Sequence, residues 1–198
     1  MSWTASVFPL LAVILAACAQ VDSPAAEFET LQAETLWKAE NGHETRTIVL
    51  SGGIVVSQDR EGGKISSVEM DRSGHGAVLC AWQLFIDQKL ILEACPGDDI
   101  DWAQEFSTAV DRTNDFIIAN SFDRPTKQQL EDHIAQRLAG YTQKLATMST
   151  ADAERTCRNM RAAPKAMKIF KAMGHEKFRA YVDDLLSVPR LPVLVPCL

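Results

Sequence analysis

Leu130, Ile134, Leu138, Tyr141 and Leu145 recur at intervals of four, four, three and four residues. That spacing returns to one side of an α-helix at each step and predicts a helix opened by Pro125, with a single apolar stripe. Upstream, Trp102, Phe106, Ala109, Val110 and Ile117 share a helical face in the same way. Asp98, Asp99 and Asp101 precede that face, where acidic residues would cap the helix and complement its dipole. They lack the glycine of a calcium-binding EF-hand loop. Downstream, Ser149 and Asp152 stand at capping-box spacing and begin a further helix. Pro164 should interrupt it and start another, because proline lacks the amide donor and clashes with the preceding turn. Gly174 ends that one, 175–187 form a last short helix, and three prolines make the tail S-V-P-R-L-P-V-L-V-P-C-L extended.

The first part of the chain changes period. Ser23-Pro24 reads as a helix start, Phe28, Leu31 and Leu36 as an apolar side, and Asn41-Gly42 as a C-cap, giving a helix over 24–41. Two β-branched runs then flank Gly52-Gly53, and I-S-S-V-E-M follows a second glycine pair, Gly62-Gly63. Glycine pairs supply the positive φ of tight hairpin turns. They predict three antiparallel strands at about 46–50, 54–58 and 64–71. Neither pair has the spacing of a phosphate-binding loop. The run over 77–95 reads either as a helix or as a hairpin turning at Asp87-Gln88. As a helix it places Gln83, Asp87, Lys89 and Glu93 on one side, with only Gln88 out of place. Leu, Ala, Gln, Lys and Glu favour the helix. A Cys80–Cys95 bond would exclude it, since those positions would lie roughly 22 Å apart along a helix.

Composition adds that the chain is an ordinary folded one, with 46% hydrophobic and 23% charged residues in 198. The pattern predicts an α-rich α+β fold. A small antiparallel meander, about 46–71, packs with five or six helices in one domain over 18–198. Charge is uneven: residues 20–123 carry 7 Lys+Arg against 19 Asp+Glu, and residues 124–198 carry 13 against 7. Either the two halves pack with complementary surfaces, or the basic half meets an anionic partner.

Val7–Ala17 is an apolar run of eleven residues, too short to span a bilayer and matched to the core of a signal peptide. Ala17-Cys18-Ala19 offers cleavage before Gln20, making residues 1–19 the signal and the product free in the periplasm or secreted. Leu15-Ala16-Ala17-Cys18 resembles the lipobox of bacterial lipoproteins. That resemblance implies removal of residues 1–17, acylation of Cys18 and a lipid-anchored envelope protein. By resemblance to lipoprotein sorting signals, Ala19 in place of Asp implies the outer membrane. The chain departs from both signal patterns in having no Lys or Arg before Lys38. With Cys18 removed or acylated, Cys80, Cys95, Cys157 and Cys197 remain, an even number suited to two disulfides in an exported protein. Which cysteine joins which is open; Cys197 next to Cys157 in sequence order is one staple the spacing allows.

Candidate chemistry is sparse. His43, His75, His133 and His175 are scattered, no cysteine pair has metal spacing, and neither a metal nor a cofactor is expected. There is no G-x-S-x-G or H-E-x-x-H, and His175-Glu176 is followed by Lys-Phe-Arg. A hydrolase of envelope polymers would have to use carboxylates, with Glu27, Glu105 and Asp111 as candidates. The distinctive segment is 155–179. Arg155, Arg158, Arg161, Lys165, Lys168 and Lys171 fan over one side of a helix, and Met160, Ala163, Met167, Phe170 and Met173 fill the other. Either the Met/Phe face is core and the cations are solvated, or the helix lies on an anionic surface or in a partner groove. The functional expectation is an exported, lipid-anchored interaction module with a basic helical surface for an envelope protein or anionic envelope component. Nucleic acid is not an expected partner of an acidic, exported domain.

Overall fold

The structure, a computed structural model, describes residues 23–40, 43–97, 99–162 and 164–197. The expected signal segment and Cys18 lie outside these residues, as do Asn41, Gly42, Asp98, Ala163 and Leu198. Among them run helix α1 (Pro24–Glu34), strands β1 (Lys38–Glu40), β2 (His43–Val49), β3 (Ile54–Glu61) and β4 (Lys64–Asp71), and six further helices. These are α2 (Val78–Ala94), α3 (Ile100–Asn120), α4 (Lys127–Ala146), α5 (Thr150–Ala162), α6 (Lys165–Met173) and α7 (His175–Leu185). The fold is α-rich α+β and held by two disulfides, with seven described helices and four strands instead of the five or six and three expected.

The extra strand comes from the end of the expected first helix. Ser23 caps α1 as foreseen, its Oγ accepting from the Ala26 amide at 3.3 Å. The helix stops at Glu34, however, and Lys38–Glu40 pairs antiparallel with β2. Of the three apolar residues that supported the longer helix, only Leu36 lies past that point. Trp37 instead lies between two guanidinium groups of the sheet, 4.3 Å from Arg46 and 4.5 Å from Arg60. The β1–β2 pairing ends at Glu40↔His43; the expected C-cap, Asn41-Gly42, lies outside the described residues.

The meander runs β1-β2-β3-β4. Its β3–β4 turn is Gly62-Gly63, with both φ positive as a two-residue hairpin loop demands. The other pair serves packing as well as turning. A Cβ on Gly52 would lie 2.6 Å from the Cβ of Arg190, so the β2–β3 turn can rest on the C-terminal tail only with glycine there.

Two apolar clusters share α2. Ile48, Leu50, Ile54 and Val56 from the sheet meet Ala77, Cys80, Leu191 and Val193 in the smaller. The larger joins α2, α3, α4, α6 and α7 around Phe85, whose ring touches Phe106, Phe170, Phe178 and Tyr181. A helix buried on most of its circumference is apolar nearly all round. That explains why 77–95 looked ambiguous: α2 is one continuous helix, and Cys80 and Cys95 have different partners. Cys80 bonds Cys197 and Cys95 bonds Cys157. The Cys157–Cys197 staple is thereby excluded. The tail does not return to α5; it runs beside β4, where Val195 pairs parallel with Met70 and its carbonyl accepts from the Asp71 amide at 2.7 Å.

The helix starts follow their local chemistry with one correction. Thr126 and Gln129 form a reciprocal capping box on α4, and Ser149 Oγ accepts from the Asp152 amide at 3.2 Å before α5. Asp99, at the N-cap of α3, makes no side-chain cap bond; its carboxylate instead accepts from Lys171 Nζ at 2.7 Å. Part of the charge asymmetry is spent in such contacts. Arg137 pairs with Asp87, Lys171 with Asp99, Arg179 with Glu105 and Arg190 with Asp71, each a cation of the second half on an acid of the first.

Candidate binding surface and cleft

The predicted basic helix is two helices. Pro164 separates α5 from α6 and serves as the N-cap of the second, since its ring cannot continue the first. Met167 and Phe170 are buried in the larger core, and Met160 and Met173 are half-buried. At Met167 and Phe170 the Met/Phe face is therefore interior. On the outer side the six cations divide. Arg155 pairs with Asp152 at 2.8 Å and Arg158 with Glu154 at 3.9 Å, both within α5. Arg161 donates to the Pro96 carbonyl at 3.4 Å, beside the Cys95–Cys157 bond. Lys171 holds Asp99. Lys165 and Lys168 are exposed and make no ion pair among the described residues.

Beside Lys165 opens a cleft of about 530 Å³ between α2, α4 and α6. Leu84, Asp87, Gln88 and Ile91 line it from α2, Tyr141 from α4, and Pro164, Lys165, Ala166, Ile169 and Phe170 from the α6 side. Its walls are mainly apolar, and Ile169 stands 57% exposed at its mouth. Asp87 is engaged by Arg137. Gln88 is different: it is only 2% exposed, and its Oε1 has no hydrogen-bond partner among the described residues. A buried acceptor left unpaired costs about 1–3 kcal/mol. Sequence reasoning noted Gln88 as the one polar side chain on the wrong side of this helix and did not count it among the site candidates.

The carboxylates proposed for hydrolysis are not assembled. Glu27 accepts from the Ser51 amide and hydroxyl at 2.7 and 2.9 Å, bracing α1 against the β2–β3 turn. Asp111 is exposed on α3. Glu105 lies near the other end of that helix, bound by Arg179 and 3.4 Å from His175, which stacks on Trp102. The hydrogen-bonded Arg179 guanidinium holds the Glu105 carboxyl below the ordinary glutamate range. A carboxyl with a lowered folded-state pKa contributes stability above its unfolded pKa and loses it as pH falls through the folded value. Glu105→Gln should therefore lower the melting temperature at neutral pH, and only modestly, because Arg179 is exposed. Its difference from wild type should close as pH drops below about 4. Melts at neutral and strongly acidic pH check both the sign and the window.

A third group surrounds the Cys80–Cys197 bond, in a cavity of about 360 Å³. His75 Nδ1 lies 3.0 Å from Asp184 Oδ1, and burial, assisted by Asp184, pushes the Tyr181 phenol upward. The cavity's two cysteines are bonded to each other and offer no thiolate. Among the described residues no cluster of three or more His, Cys, Asp or Glu is placed to hold a metal ion. No described helix is long and apolar enough to cross a membrane. No protein family matches the chain, and no curated protein or solved structure matches it either.

Proposed function

We propose that this protein is a lipid-anchored envelope binding module, held through Cys18, that recognises an anionic component at the α5–α6 edge. Two disulfides support an exported protein, because such bonds persist in oxidising compartments. The observation that carries the partner is what internal pairing leaves over. Of the six cations over 155–171, three close on acids of the same molecule and Arg161 on a carbonyl, while Lys165 and Lys168, at and beside the mouth of an apolar cleft, make no ion pair among the described residues.

The test has two parts. The intact mass of the protein matured in its own host should show an N-terminus at Cys18 with added acyl mass; a start at Gln20 without lipid removes the anchor. Binding to isolated envelope fractions should weaken with salt, as exposed charge interactions do. Lys165→Glu with Lys168→Glu should lower it at least about tenfold, by replacing attraction with repulsion. Lys171 is left alone, because its reversal would break the Asp99 contact and confuse binding with folding. Unchanged binding in the double variant refutes the basic surface.

A further inference from the structure

We propose that the cleft between α2, α4 and α6 is a site for a single-chain hydroxylated carboxylic acid, a hydroxy fatty acid in chemical class. This rests on the anionic-partner reading at Lys165 and names the chemistry of what is bound there. Three properties of the cleft are jointly satisfied by that ligand. Leu84, Ile91, Ile169 and Phe170 offer an apolar wall to a hydrocarbon chain. Lys165 lines the same space as an ammonium without an ion-pair partner among the described residues, complementary to a carboxylate. Asp87, the one acid in the lining, does not oppose this, because Arg137 compensates its charge.

The third property carries the hydroxyl. Gln88 lines the cleft, and its Oε1 is buried without a partner among the described residues. The terminal torsion of a glutamine is soft, so a small rotation turns that oxygen toward the space. There an O–H donor would relieve it. Natural binding sites pair an apolar enclosure with a few placed polar groups in this way, and about 530 Å³ is within their usual size. A buried glutamine with no donor is poor design for a core. Leucine would fill the position without leaving a polar atom unpaired.

The experiment is calorimetric titration of the mature protein with three soluble probes: 3-hydroxyoctanoate, octanoate and octane-1,3-diol. The hydroxy acid should bind best, and removing either its hydroxyl or its carboxylate should weaken binding by about tenfold, the worth of one good hydrogen bond or charge contact. Gln88→Leu should raise the melting temperature and abolish the preference for 3-hydroxyoctanoate over octanoate. Lys165→Gln should abolish the preference for the hydroxy acid over the diol. Lys168→Glu, outside the lining, should leave all three affinities in place. Weaker envelope binding by that variant with the probes untouched is the expected result, since Lys168 belongs to the basic surface and not to the lining. No binding by wild type overturns the proposal, as does binding without discrimination among the probes. Discrimination that survives Gln88→Leu assigns the hydroxyl elsewhere and also overturns it. Loss of envelope binding in Lys165→Glu/Lys168→Glu with no probe bound would retain the basic surface and discard the cleft.

Discussion

Removing the Cys80–Cys197 bond with the double change Cys80→Ala and Cys197→Ala should lower stability by about 4 kcal/mol, because the surviving Cys95–Cys157 bond lies inside its loop and shortens the chain it closes to about 55 residues. The two cysteines are 117 residues apart in sequence, against 62 for Cys95–Cys157. With each bond removed singly the loops released are of similar length, so Cys95→Ala with Cys157→Ala should also cost about 4 kcal/mol. The difference in location is sharper than the difference in energy. Cys197 anchors a tail whose Leu191 and Val193 are buried under the sheet and whose Val193 carbonyl accepts from Leu79 at 2.9 Å. Without the bond, that segment should become the first to be cut in limited proteolysis. Cys157 instead secures α5, which has no fully buried residue of its own, so its loss should free that helix and leave the tail protected. Urea unfolding of both double variants, with proteolysis sites mapped by mass, separates the two. Equal cutting in both would contradict this division.

Arg190→Met should destabilise the protein by about 3–5 kcal/mol, because it leaves one member of a buried ion pair alone. Arg190 is fully buried, an unusual place for a guanidinium. Its Nε donates to Asp71 Oδ2 at 2.8 Å, and its other nitrogens donate to the Gly76 carbonyl at 2.7 Å and the Val188 carbonyl at 3.1 Å. The second Asp71 oxygen accepts from the Ser73 amide at 2.8 Å and the Ser73 hydroxyl at 2.5 Å. One side chain thus ties the end of β4, the loop before α2 and the start of the tail. Methionine approximates its length and can donate to none of these acceptors. The largest part of the loss comes from the stranded Asp71 charge, so Asp71→Asn in the Arg190→Met background should restore some stability. In the wild-type background the same Asn change should be harmful. Urea midpoints for the single and double variants close the cycle; additive losses would show that the two side chains are not coupled.

The elements that sequence patterning captured best were those whose local signals agreed with their packing. The stripes of α3 and α4, the proline break at 164 and the glycine turns of the meander are of this kind. Where local and long-range interactions competed, the long-range ones won. Residues 38–40 left the expected helix because β2 offers them backbone pairing and Arg46 and Arg60 hold Trp37. Asp99 had the chemistry of a cap, but Lys171, 72 residues away, took its carboxylate. The basic segment was legible as charge and invisible as pairing. Which of its cations would be consumed depended on acids brought from other helices.

By itself the sequence determined the fold class, the positions of the cysteines along the chain and the odd position of Gln88 on α2. Each of these is local: composition, position and helical periodicity can be read without knowing what lies opposite. Only the tertiary structure decided the cysteine pairing, the inward turn of the Met/Phe face, and the survival of Lys165 and Lys168 as unpaired cations. It alone placed Gln88 in the wall of a cleft. These depend on distances between residues far apart in the chain, set by the packing of α2 between two cores, and no short-range periodicity encodes them.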